Sequence, residues 1–289
     1  MRKALHLLIA TLSFCCCAAQ TADRDTLHIL CIGNSFSWDA VEQELAPICQ
    51  SAGQPVVIGN LYYGGCSLEQ HYRFLDKDTA AYSFRLIENG VRTIHDPYTM
   101  RQALRLHRWD YISLQQASHD SGIRSSYEPY LSRLIDSVRL YQPQAQLCWL
   151  QTWSYAQTAT HPAFPRYAHS QSVMNDSILA CTRYVLHNHP TLLLIPCGTA
   201  IQNARHTLGD TLCRDGYHLN YIYGRYTASC VWYEILTGKS SIGIPYCNPD
   251  MTKKQQKQTQ KAAHRAVKHP FEQKNTKKTE ELKEKKGQE

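Results

Sequence analysis

Three patterns are missing from this 289-residue chain, and each absence narrows its chemistry. No two cysteines stand as C-x-x-C, so a structural zinc site of paired thiolates is not expected, and no other metal-ligand spacing is evident. No G-x-S-x-G segment occurs, which removes the nucleophile elbow of the α/β-hydrolase lipases. No apolar run reaches the roughly 20 residues of a membrane span. The best candidate, Ala4 to Ala19, is shorter and follows Arg2 and Lys3. Internal repeats are also missing. The body of the chain has no net charge either. The overall +7 is matched by Met251 to Glu289, which hold 12 Lys/Arg against 5 Glu. A basic tail can bind nucleic acid. No nucleic-acid-binding motif accompanies this one, so a solvated tail is expected and no nucleic-acid partner.

What is present begins with a targeting segment. A positive start, an apolar run and the small residues Ala18-Ala19 make residues 1–19 a secretory signal peptide, cleaved after Ala19. The mature protein is then exported to the periplasm, cell surface or exterior, with no stable membrane insertion. Cys15-Cys16-Cys17 raises a lipoprotein reading, ranked second because Phe14 stands where a small residue is wanted. Residues 20–250 are long enough for one large α/β domain. Residues 251–270 read as a basic helix ended by Pro270, and 271–289 as a disordered tail. Nine cysteines follow the signal, an odd number, so at least one stays free or pairs between chains.

Within the domain, apolar strand-like runs alternate with helical periods: Leu27–Ile32, Pro55–Leu61, Trp109–Leu114, Gln146–Thr152 and Leu192–Ile195. Tyr82–Glu88 and Val91–His95 flank Asn89-Gly90 and read as a hairpin beside the main sheet. Such alternation predicts a parallel sheet covered on both faces, with ligands bound beyond the carboxyl ends of the strands.

Three strand exits and one later turn carry chemistry-bearing residues. Ile32-Gly33-Asn34-Ser35-Phe36-Ser37 puts a serine between a strand and a helix, where free helix N–H groups can meet an oxyanion. The same residue types also cap helices. Gly64-Gly65 follows the second strand, and Gln115-Gln116-Ala117-Ser118 follows the third. Asp215-Gly216-Tyr217-His218 precedes the last apolar helix of the domain. In a turn running into that helix, this spacing lets the carboxylate hold one imidazole nitrogen while the other accepts a proton. Cys66 near His71 lacks an orienting third group, and His119-Asp120 lacks metal-ligand spacing. Neither is adopted.

In this order the four blocks resemble the SGNH (GDSL-like) hydrolases over about Thr26 to Leu236, and in particular a poorly characterised branch whose first block reads I-G-N-S-F-S. The resemblance implies a flavodoxin-like three-layer α/β/α sandwich with about five parallel strands. It implies Ser35 as nucleophile, His218 as general base and Asp215 as its orienter, with the N–H groups of Ser35 and Gly65 forming an oxyanion hole. Asn34 replaces the usual Asp of G-D-S. Gln116, with Gln115 as rival, stands for the usual Asn donor, in a block like that of related carbohydrate acetylesterases. No cofactor is implied. Trp38, Tyr63, Trp153 and Tyr155 are candidate sugar-stacking residues, or core. The expected activity is hydrolysis of acyl esters, chiefly O-acetyl esters on a carbohydrate. The alternatives are a lipase or thioesterase on this fold, or a glycan-binding protein that has lost the activity.

Overall fold

The computed structural model describes residues 26–272. The signal segment 1–19 and almost all of the tail expected over 271–289 lie outside the described residues. The chain runs β1 (Leu27–Gly33), α1 (Ser35–Val41), α2 (Leu45–Ser51), β2 (Val56–Tyr62), α3 (Leu68–Asp76), β3 (Tyr82–Glu88) and β4 (Val91–Tyr98). It continues with α4 (Met100–Leu106), β5 (Tyr111–Leu114), α5 (Tyr130–Tyr141), β6 (Gln146–Leu150) and α6 (Gln171–Asn188). Last come β7 (Leu193–Ile195), α7 (Cys197–Leu208), α8 (Gly224–Thr237) and α9 (Lys253–Lys268).

The sheet order is β4-β3-β2-β1-β5-β6-β7. Five strands, β2-β1-β5-β6-β7, are parallel. The β3–β4 hairpin extends the sheet antiparallel from β2. The parallel part has the flavodoxin-like order, which reverses between β1 and β5. The serine block leaves β1 and the glutamine block leaves β5, so both open on that switch point.

Period two along the central strands builds the layers. Ile29 and Cys31 of β1, with Cys148 and Leu150 of β6, feed one core beneath α1, α2, α7, α8 and α9. Leu30 and Ile32, with Leu147 and Trp149, feed the other beneath α3, α4 and α5. The nine cysteines from Cys31 onward are free thiols, and seven of them are buried.

The structure departs from the sequence expectation in two places. The helix expected after the serine block is two helices, with Glu42 and Glu44 turned inward to Asn60 and Asn248 at the break. The Asp215–His218 block does not run straight into a helix. It is a loop held by a Cys213–Leu219 bridge, and α8 starts only at Gly224.

The α9 helix seats Ala262, Ala263 and Ala266 in the first core while Gln256 and Gln260 bond the carbonyl of Ile244. Thr252 and Gln255 close its N-terminus as a capping box. Among the described residues no helix is long and apolar enough to cross a membrane.

Candidate active site

The serine corner is tied together by Asn34. Its Oδ1 accepts the Phe36 N–H at 3.0 Å, capping α1, and the Gln115 Nε2 at 2.8 Å. Its Nδ2 donates to the Cys66 carbonyl at 3.1 Å. One side chain thus joins the exits of β1, β2 and β5. A carboxylate could accept the first two bonds but not donate the third, which gives a reason for Asn where the resemblance has Asp. Ser35 is half-buried at the first helical position, where a backbone N–H has no partner inside the helix. Among the described residues no hydrogen bond to its hydroxyl is present. Gly65 is exposed with φ +64°, a left-handed conformation that strains any side chain.

Asp215 and His218 meet as the spacing predicts. The Asp215 carboxylate accepts His218 Nδ1 at 2.6 Å and the backbone N–H groups of His218 and Tyr217 at 2.8 and 3.2 Å. Gly216 sits at φ +91°, and a Cβ there would meet Ala159 at 2.9 Å. Burial raises the Asp215 carboxyl, but the bonds from the His218 ring and the two N–H groups outweigh it and hold it below its ordinary value. The bond to Nδ1 fixes the imidazole and leaves Nε2 as the outward nitrogen.

The loop is pinned to α1 by Asp39, which is fully buried one turn beyond Ser35. Asp39 Oδ2 accepts the Leu219 N–H at 2.7 Å, next to His218 in sequence. Arg214 and Arg225 bond its Oδ1 at 3.0 and 2.6 Å. The Phe36 ring meets the His218 ring edge-on at 6.3 Å. On the other side Trp153 Nε1 donates to the Tyr217 carbonyl at 2.7 Å. Through Phe36 and Asp39, the His218 loop is held against the helix that Ser35 begins.

Sequence reasoning missed Asp39, Arg214, Arg225 and His161. Asp39 had one visible signal, an acid i+4 from the serine between Trp38 and Ala40. His161 packs on Tyr217 and Tyr155 at 4.8 and 4.7 Å. Burial lowers its pKa first, and the neighbouring His119 and His218 add to the effect.

Several expected roles are corrected. Gln116 is not a free donor: its Nε2 bonds the Ser126 carbonyl and hydroxyl, and its Oε1 holds the Leu68 and Ala117 N–H groups. Gln115 donates one amide N–H to Asn34. Trp153 stacks on Phe36 at 4.2 Å, fully buried, and Tyr155 is buried with its hydroxyl 3.0 Å from Ser118. Both are core. Trp38 and Tyr63 stay partly exposed. Cys66 is buried, which pushes its thiol far up, and His71 bonds Tyr82, so the two form no nucleophile pair.

This sheet order is the fold of solved structures described as SGNH and GDSL-like hydrolases. Two solved structures share the fold at low identity. A candidate SGNH hydrolase from Slackia heliotrinireducens is 19% identical with TM-score 0.52, over 73% of this chain and 100% of that one. A candidate GDSL-like lipase from Parabacteroides merdae is 13% identical with TM-score 0.51, over 75% and 98%. Within that fold class the chain belongs to the DUF4886 family, a domain of unknown function whose profile matches residues 28–266. A DUF4886 protein from Bacteroides uniformis is 40% identical with TM-score 0.85, over 88% of this chain and 99% of that one. No curated protein matches the chain in sequence.

Proposed function

We propose that this protein is an exported serine esterase that removes acyl groups, chiefly O-acetyl groups, from a carbohydrate. Ser35 is the nucleophile, His218 the general base and Asp215 the residue that orients it. The observation that carries this reading is the 2.6 Å Asp215–His218 bond in a loop fastened to the helix that Ser35 begins. Ser35 Oγ attacks the ester carbonyl while His218 Nε2 takes its proton. The tetrahedral oxyanion meets the N–H groups of Ser35 and Gly65. His218 returns the proton to the leaving sugar hydroxyl, and water then releases the acyl group through the same base. With the Gln116 amide committed to Ser126, the oxyanion hole in this reading rests on backbone donors.

Fluorophosphonate labelling followed by mass spectrometry tests the reading. The expected adduct is on Ser35 and is lost in His218→Ala. A protein left unlabelled beside a labelled control esterase refutes it and favours a glycan-binding role.

A further inference from the structure

We infer that a cationic groove beside Ser35 is a subsite for an acidic sugar, so that the substrate is an anionic glycan esterified next to a carboxylate or sulfate. This rests on the esterase reading above and adds the class of polymer. The groove holds about 430 Å³ and runs from Trp38 of α1 along α2, between the β3–β4 hairpin and the start of α8. It is lined by Trp38, Glu42, Arg92 and Arg225 among others. Its upper end, at Trp38, is one helical turn from Ser35.

Arg92 and Arg225 line this groove, Arg85 and Arg214 lie against its Trp38, and two buried carboxylates pair with these arginines. Asp39 and Glu42 have side chains 0% and 1% exposed. Asp39 is satisfied by Arg225 and the Leu219 N–H, and Glu42 by Asn60 and Arg85 at 2.6 and 3.2 Å. Arg214 also bonds both Asp39 oxygens, at 3.0 and 3.2 Å, so four guanidiniums face two carboxylates and two positive charges remain in excess. Arg92 reaches Glu42 only at 3.4 Å and is 50% exposed. The buried network holds Arg85, Arg214 and Arg225; Arg92, half exposed, is the one with donors left for the groove. The next acid along, Glu44, is turned away under Asn248 and Gln43.

The aromatic residues complete the subsite. Arg85, Arg225 and Arg214 lie 5.1, 4.8 and 5.7 Å from the Trp38 ring. Tyr221, half exposed, lies 4.8 Å from Arg214 and 4.5 Å from Arg225. An aromatic face gives a pyranose a platform. Guanidinium forks recognise carboxylate or sulfate oxygens in pairs, which an ammonium does not.

The test compares kcat/KM on O-acetylated oligogalacturonide, an O-acetylated sulfated oligosaccharide and O-acetylated xylo-oligosaccharide, which is neutral. The expected preference for an acidic substrate over the neutral one is about tenfold, the worth of one charge-assisted hydrogen bond. It shrinks as salt rises from about 50 to about 500 mM, because the groove is open to solvent. Arg92→Gln lowers the acidic-to-neutral ratio several-fold, and Arg92→Lys restores it only in part. Which acidic substrate wins separates a carboxylate from a sulfate ligand. If Ser35 labels with fluorophosphonate but neutral xylan esters turn over as fast as acidic ones, the subsite is wrong and the esterase reading stands. If Ser35 does not label, calorimetric binding of oligogalacturonide to the wild type and Arg92→Gln decides the subsite alone. Weaker binding by the variant supports it, and equal binding overturns it.

Discussion

Two tryptophans flank the candidate serine, and they have opposite fates. Trp153, beyond β6, is stacked flat on Phe36 and sealed in the core. Trp38, one turn along α1, stays partly exposed among three guanidiniums and faces a groove. Both follow the exit of a parallel strand, and from the sequence both qualified as sugar platforms. The difference lies in their neighbours. The β6 exit is walled by Phe164, Tyr155 and Tyr217, so an aromatic there closes the core. The α1 side has buried carboxylates that draw arginines, and arginines keep a surface wet. One side of the site is a dry wall that holds His218 in place, and the other is a charged trough.

The strongest test acts on the pivot between the two sides. Ser35→Ala should lower kcat by about a thousandfold or more, with little change in the urea midpoint, since the variant loses the nucleophile and no core contact. Asp39→Ala should cost about 3–5 kcal/mol in urea denaturation, because it strands Arg225 among buried groups. Asp39→Asn should recover part of that stability while kcat stays low, through slack in the His218 loop. Trp153→Ala should cost a similar 3–5 kcal/mol or so, and Trp38→Ala about 1 kcal/mol with its main effect on KM. Equal stability losses for the two tryptophans would erase the contrast between wall and trough.

Asn34→Asp should cost about 1–3 kcal/mol of transition-state stabilisation, because it replaces the donor facing the Cys66 carbonyl with a carboxylate. It should appear in kcat more than KM, because the Cys66 loop carries Gly65. The smallest effect is on pH. The Asp215 carboxyl is depressed in the folded protein, so its bonds stabilise above about pH 4, the ordinary aspartate value. That contribution is lost as pH falls through the depressed value. The melting-temperature gap between wild type and Asp215→Asn should therefore narrow from neutral pH towards pH 3 or so, and partial exposure keeps it small.

The residues legible in the sequence were those whose signal is local. Strand runs alternate with helices, Asn89-Gly90 makes a hairpin, and an Asp three residues before a His closes a short loop. What escaped depends on distant partners. Asp39 meets Arg214 across 175 residues of sequence, and nothing in either neighbourhood announces the other. The Gln116 amide is taken by Ser126 within an irregular loop that no periodicity describes. The break between α1 and α2 was hidden because the apolar period continues through it, while Asn60 and Asn248, which meet its two glutamates, lie elsewhere in the chain.

The free thiols bear on how the molecule meets its redox surroundings. Burial pushes most of them up, Cys31 and Cys49 to about 12 and Cys181 and Cys213 to about 11, so little thiolate exists near neutral pH to attack a disulfide or an oxidant. The finished protein should be indifferent to dithiothreitol, which finds no disulfide among the described residues to reduce.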